Sequence, residues 1–134
     1  MTRLDRTEPT LNTAIPGDAR DTTSPGSMLH DMRAILLGHA LSEQSRRQLE
    51  AWMIGDRVGA KRLRAGLPPE WRIGDRTGSG DHGTANTLAI LWPPGRPPIL
   101  AAVYQTGSSA SADTLDAAHA EIGRIIAGGL RGSA

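Results

Sequence analysis

The chain has 134 residues and a net charge of +1, from fifteen basic and fourteen acidic side chains, with no cysteine, no phenylalanine, three tryptophans and one tyrosine. That length fits one domain or part of one, the balanced charge leaves no footprint for nucleic acid or an anionic membrane surface, and the lack of cysteine excludes disulfides and thiolate metal sites. With no signal peptide and no apolar run of about eighteen residues, the segment is expected neither to span a membrane nor to direct export by itself.

Residues 1 to 26 hold Thr, Pro, Asp, Gly and Arg with only scattered Leu4, Leu11 and Ile15, and no period of two or 3.6 fits them. They are expected to be loop. An Ω-type loop packed by its own side chains is one reading of such a stretch, and a disordered tail is the other.

From Pro25, a residue suited to a first helical position, Met28, Leu29, Met32, Ile35 and Leu36 recur at helical spacing until Gly38. Ser42 is a candidate N-cap for a second helix that sets Leu49, Trp52 and Met53 on one face before Gly55. A shorter turn is expected over Val58 to Arg64, stopped by Gly66, Pro68 and Pro69. Then the period becomes two. Trp71, Ile73 and Asp75 alternate with Arg72, Gly74 and Arg76, and Leu88 to Trp92 and Ile99 to Tyr104 are apolar runs. Three strands follow, with Gly78, Gly80, Asp81 and Gly83 in the first connection and Pro93, Pro94, Gly95 and Pro97 in the second, both antiparallel links. Leu115, Ala118, His119, Ile122, Ile125 and Ile126 mark a last helix from about Ser111 to Ala127, ending at Gly128 and Gly129.

The chain is thus an α/β sequence of the α+β type: loop (1–26), helical portion (27–66), then a sheet portion with closing helix (70–134). A three-stranded sheet with one terminal helix leaves one face or one edge in need of a further partner.

Two constellations carry chemistry. In the loop, Arg6 and Asp21 form a fitting closure pair across the neck, which presents Glu8 and Asn12 together. A glutamate acting as general base needs a positioned water, and a neighbouring amide supplies that water with a second hydrogen bond. At the end of the first strand, Asp75-Arg76-Thr77-Gly78-Ser79-Gly80 combines a cation, hydroxyls and small residues, a set suited to docking a carboxylate beside backbone N–H groups. His30, His39, His82 and His119 share no metal-ligand spacing and are read as surface or satisfied histidines; no metal or other cofactor is implied. Trp52, Trp71 and Trp92 are read as packing residues, because no basic patch accompanies them.

In order and spacing, Glu8-Pro9-Thr10-Leu11-Asn12 in a loop closed by Arg6 and Asp21, then Trp52-Met53, Arg64-Ala65-Gly66-Leu67-Pro68, Trp71 and Arg76-Thr77-Gly78-Ser79-Gly80 resemble class A serine β-lactamases over essentially the whole chain. The resemblance implies a segment of the β-lactamase and transpeptidase-like fold: Ω loop, two to three helices, three antiparallel strands and a closing helix. It implies β-lactam opening through a serine acyl-enzyme, with Glu8 activating the hydrolytic water, Asn12 assisting, and a cis Glu8–Pro9 bond. Arg76, Thr77 and Gly78 would bind the substrate carboxylate, Ser79 would lend its backbone N–H to the oxyanion hole, and Arg62 would be a second carboxylate-side cation.

Arg76 replaces the family's commoner Lys, as in its carbenicillin-hydrolysing members. No Ser-x-x-Lys or Ser-Asp-Asn precedes Glu8, so the nucleophile is expected from elsewhere, in a missing N-terminal half of the same fold. The other reading is a non-catalytic remnant that at most binds a β-lactam. By analogy the location is the periplasm or outside the cell.

Overall fold

The computed structural model describes residues 1–131. The loop runs to Ser24, interrupted only by a 3-10 turn at Thr10–Asn12. Helix α1 (Pro25–Met32) starts where Pro25 suggested, with the Ser24 hydroxyl accepting from the Ser27 N–H at 3.1 Å. It passes into a π-helical turn, Arg33–Leu37. The single helix expected up to Gly38 is therefore two pieces, and Arg46 donates to the Gly38 carbonyl at the far end (2.6 Å). Helix α2 (Glu43–Ile54) carries the expected Ser42 cap, which accepts from Ser45 N–H at 3.2 Å. A 3-10 turn, Val58–Lys61, and the one-turn helix α3, Leu63–Gly66, follow.

Strands β1 (Arg72–Gly80), β2 (Thr84–Trp92) and β3 (Ile99–Gln105) form one antiparallel sheet in that order. The ladder between β1 and β2 continues to Gly80↔Thr84. Gly78 and Gly80 thus belong to β1 and not to the connection, which shrinks to Asp81, His82 and Gly83. The last two take left-handed backbone (φ 54° and 63°). Arg72 stacks its guanidinium 4.1 Å from the ring centre of its ladder partner Trp92.

Alternation along the strands divides the core between two faces. One face packs Ile73, Ala89, Leu91 and Ala101 against Leu63 of α3 and Ile122 and Ile126 of α4 (Ala112–Arg131). The other packs Ile90, Leu88 and Leu100 against Met28, Met32, Leu36 and Met53 of the α1–α2 pair. Helices therefore cover both faces, and what is left open is the two edges: among the described residues β1 and β3 pair only with β2.

Helix α4 departs from its expected stripe. Ala118 is exposed and Ile125 is 64% exposed, whereas Leu115, His119, Ala120, Gly123 and Ala127 are buried. The buried line is rotated toward small residues because α3 comes very close. A Cβ on Gly66 would stand 1.8 Å from the Ala120 carbonyl oxygen, so any side chain there would push the helices apart. The helix also runs through Gly128 and Gly129 to Arg131, past the stop read from the sequence. Trp52 is a further correction: it is 68% exposed and lies at the mouth of an apolar cleft instead of inside the core.

Candidate active site

The loop keeps its shape through polar contacts, since none of its residues is fully buried. Asp21 is its hub. One carboxylate oxygen accepts from the backbone N–H groups of Asp5 (2.6 Å) and Arg6 (2.9 Å), the other from Arg6 Nε at 2.5 Å. Burial pulls the Asp21 carboxyl upward, but the Arg6 side chain and the two N–H donors outweigh it and leave it below its ordinary value. Arg6 also donates to the Thr13 hydroxyl (3.0 Å), tying the neck to the far side of the Glu8–Asn12 segment.

Within that segment the Glu8–Pro9 peptide bond is cis. The Leu11 N–H reaches the Thr7 carbonyl (3.2 Å) and the Asn12 N–H the Pro9 carbonyl (3.1 Å). This tight turn brings the Asn12 side-chain amide onto the Glu8 carboxylate, to which it donates. Glu8 is otherwise exposed.

The loop docks on the β1–β2 turn. Asp81 N–H donates to the Asn12 carbonyl (3.0 Å), and His82 Nδ1 lies 2.9 Å from the Thr13 carbonyl. Gly80 makes the approach possible: a Cβ there would sit 2.6 Å from that same Asn12 oxygen. Glu8 and Asn12 are in this way fixed relative to the last residues of β1. Between the loop's inner wall and the ends of the strands lies a cavity of about 560 Å³, bordered by Asn12, Ser79, Asn86 and Tyr104.

The period of two distributes the β1 residues over both faces. Arg76 points to the α1–α2 face, where it is 70% exposed, stands 3.6 Å from Asp56, and borders the apolar cleft of about 510 Å³ with Met28, Met32, Leu49, Trp52 and Met53. Asp75, Thr77 and Ser79 belong to the α3–α4 face. Gly59 packs against Asp75 and Thr77, and the Ser79 hydroxyl accepts from Arg62 at 2.7 Å. Arg76 and Thr77 thus leave the strand in opposite directions and share only its open edge, with Gly78 between them.

Arg62 is buried, and each of its three guanidinium nitrogens is engaged. Nε donates to Asp116 (2.7 Å), Nη1 to the carbonyls of Gly78 (2.9 Å) and Asn86 (2.8 Å), and Nη2 to Ser79. It clamps the Gly78↔Asn86 pair of the ladder from beneath. Sequence reasoning singled out Arg62 but missed Asp116, although Asp116 precedes His119 and Ala120 by one helical turn and so falls on the buried line of α4. It also missed the ion pair of Arg64 with Asp75, whose side chain is fully buried. Burial raises the Asp75 carboxyl above its ordinary value and Arg64 only partly offsets this. His119, read from the sequence as lying on the last helix's stripe and as a surface or satisfied histidine, is buried under β2 with Nδ1 2.8 Å from the Thr87 hydroxyl.

Among the described residues no group of three or more His, Cys, Asp or Glu could hold a metal ion, and no helix is long and apolar enough to cross a membrane.

The loop thus presents a glutamate–amide pair beside the edge strand of a sheet flanked by helices. The family model described as the β-lactamase enzyme family, Beta-lactamase2, matches residues 1–130. The chain belongs to that family. It is 49% identical over 127 residues to β-lactamase CTX-M-8 of Citrobacter amalonaticus, a match covering 95% of this chain and 44% of the relative. With β-lactamase AST-1 of Nocardia asteroides it shares 48% identity over 128 residues, 96% of this chain and 41% of the relative.

Among solved structures, the ancestral (GNCA) class A β-lactamase superposes with a TM-score of 0.94 at 55% identity, over 96% of this chain and 49% of that one. That of the last common ancestor of Gram-negative bacteria (GNCA4) does so with a TM-score of 0.94 at 56% identity, over 96% and 49%. The chain spans about half the length of the relatives it matches.

Proposed function

We propose that this chain is the deacylation and carboxylate-binding part of an enzyme that hydrolyses β-lactams through a serine acyl-enzyme. The observation that carries the reading is the Asn12 amide donating to the Glu8 carboxylate on a loop anchored to the turn after Ser79. In the reaction, a serine Oγ adds to the lactam carbonyl, the ring C–N bond breaks, and the hydroxyl proton passes to the leaving nitrogen, so that an ester and an amine remain. Glu8 then takes a proton from water held also by Asn12, the water oxygen adds to the ester carbonyl, the bond to the serine oxygen breaks, and the proton is returned to that oxygen, restoring the serine and the Glu8 carboxylate. Ser79 lends its N–H to the carbonyl oxygen in both steps. Arg76, Thr77 and Gly78 receive the substrate carboxylate at the strand edge, and Arg62 adds positive charge beneath it while holding Gly78 and Ser79 in place.

No Ser-x-x-Lys occurs in these 134 residues. The serine, its activating lysine and half of the oxyanion hole therefore come from the other part of the fold, whether on the same polypeptide or on a companion chain. Arg76 in place of Lys favours penicillins of the carbenicillin type, because a guanidinium fork pairs with carboxylates in two-point geometry. By kinship the assembled enzyme is exported to the periplasm or beyond.

The test joins or co-expresses the chain with a serine-bearing half and follows a chromogenic cephalosporin. Glu8→Ala is expected to lower turnover by about 10²- to 10⁴-fold while a covalent adduct accumulates in mass spectra. A loss of turnover without adduct would assign Glu8 to another step. The chain alone should not turn over; hydrolysis by it that disappears with Glu8→Ala would overturn the division of labour.

A further inference from the structure

The turn between β1 and β2 touches two parts of the molecule at once. Toward the loop, two successive residues of the turn meet two successive carbonyls: the Asp81 N–H donates to Asn12 (3.0 Å), and His82 Nδ1 lies 2.9 Å from the oxygen of Thr13. On the far side, the His82 carbonyl accepts from the Gly107 N–H at 2.7 Å, and Gly83 packs so close to Ser108 that a Cβ would stand 2.0 Å from its carbonyl oxygen. His82 therefore holds the Ω-type loop by its ring and the connection from β3 to α4 by its backbone.

A carbonyl oxygen only accepts, so the contact with Thr13 requires the hydrogen on Nδ1. Thr13 is well placed to transmit it. The Thr13 hydroxyl accepts from Arg6 (3.0 Å) and donates to the Thr10 carbonyl (3.1 Å), and the next residue, Ala14, turns into left-handed backbone (φ 45°). The residue before it is Asn12, whose amide donates to Glu8. Because the loop has no buried apolar side chain to settle its place, even an exposed hydrogen bond bears on its position. His82 itself takes left-handed backbone (φ 54°), a conformation that histidine, asparagine and aspartate adopt more readily than other residues with a side chain.

We propose that His82 is a positioning residue for the water-activating pair: its Nδ1–H, donated to Thr13, fixes Asn12 and through it the Glu8 carboxylate against the end of β1. The turn thereby sets Glu8 and Asn12 relative to the Ser79 N–H. That this position governs deacylation rests on the function proposed above; the link from His82 to Asn12 does not.

The test uses the enzyme assembled with a serine-bearing half and compares His82→Asn, His82→Gly and His82→Asp. Asparagine keeps an N–H donor near the place of Nδ1 and accepts the left-handed backbone. Glycine and ionised aspartate accept that backbone but cannot donate from a side chain; the first adds no charge and the second no flexibility. In both, amide exchange at Leu11 and Asn12 is expected to rise roughly 2- to 10-fold, the effect of losing one hydrogen bond, and the covalent adduct should decay more slowly. kcat/KM should hold, since it covers only the steps up to the ester. His82→Asn should stay close to the unaltered enzyme in all three readouts. In alkaline solution, nitrogen spectra of the unaltered enzyme should place the neutral ring's hydrogen on Nδ1.

A hydrogen found on Nε2 would overturn the proposal, as would unchanged exchange at Asn12 in the glycine and aspartate variants, or an asparagine variant as impaired as the glycine one. A fall in kcat/KM as large as the slowing of adduct decay would place the effect on Ser79 and overturn it too. Should His82→Asp fail to fold, His82→Gly against His82→Asn decides alone. Adduct decay left unchanged by Glu8→Ala, with exchange at Asn12 still following the side chain at position 82, would sink the deacylation reading and leave this link standing.

Discussion

The Ω-type loop and the sheet are built on opposite principles. Residues 1 to 24 contain no buried apolar side chain and keep their course by ion pairs and hydrogen bonds centred on Asp21, whose carboxylate is itself nearly out of solvent. The sheet is held by Ile73, Ala89, Ile90 and Leu91, all at or near zero exposure, with Arg64 partly offsetting the cost of the Asp75 carboxyl buried among them. Apolar burial gives stability with little demand on geometry. A hydrogen-bonded loop gives geometry with little stability, because each bond replaces one that water could make. A water-activating base requires a fixed position more than a deep core, so the division suits the proposed chemistry.

Breaking the sheet should cost most. Arg64→Ala leaves Asp75 as an unpaired carboxylate in the interior and is expected to destabilise by about 3–5 kcal/mol, read as a shift of the urea midpoint. Adding Asp75→Asn should recover part of it; no recovery would mean that Arg64 acts by packing alone. Ile90→Ala opens a cavity between the sheet and α1–α2 and should cost roughly 2–5 kcal/mol, again by urea. A cost near zero would show that this side of the core is loosely filled.

Asp21→Asn sharpens the contrast from the other side. It removes the charge that Arg6 answers while keeping the shape, so the sheet's urea midpoint should stay nearly fixed while amide exchange at Leu11 and Asn12 rises. Equal loss in both regions would merge the two into one cooperative unit.

Acid separates them in the same way. Asp21 is held below its ordinary value, so its contribution is present above about pH 4 and is lost only as the pH falls through the lowered value. His119 is held below the ordinary histidine value. Its contribution is complete above about pH 6.5 and drains away as the pH falls from there toward its lowered value, where the unfolded chain binds the proton more readily. Asp75, raised by burial, has the opposite sign: its stabilising share is present in acid, below its unfolded value, and is lost as the pH rises through its raised value. On acidification the contact of α4 with β2 should therefore loosen before the Arg6–Asp21 clasp opens, as a residue-by-residue exchange series in mild acid can read. The reverse order would contradict the assignment of both groups.

Much of this organisation is written locally. Ser24 with Pro25, Ser42 and the apolar spacing of Met28, Met32 and Leu36 specify helix starts and faces, because capping and the 3.6-residue period depend only on near neighbours. The alternation from Ile73 onward and the apolar runs 88–92 and 99–104 specify strands for the same reason. Arg6, Glu8, Asn12 and Asp21, and Arg76 through Ser79, stand out as groups because their chemistry is legible at short spacing. The boundaries fared worse where glycine was taken as punctuation. Gly78 and Gly80 stay in the ladder, and Gly128 and Gly129 stay in α4, since long-range pairing outweighs a local cost of about 1 kcal/mol per glycine.

What only the tertiary structure decided is which side chains meet across elements. Arg62 with Asp116, Arg64 with Asp75, and Thr87 with His119 are 54, 11 and 32 residues apart, and no local rule pairs them. The close contact at Gly66 turned α4 by one position, burying Ala120 and exposing Ile125. The exposure of Trp52 likewise follows from how α2 sits on the sheet, since a helical stripe fixes the relative angles of its side chains but not what the stripe faces. The sequence by itself determined the elements and the reactive groups; packing, which sums many weak and distant contacts, decided how the charged ones are held.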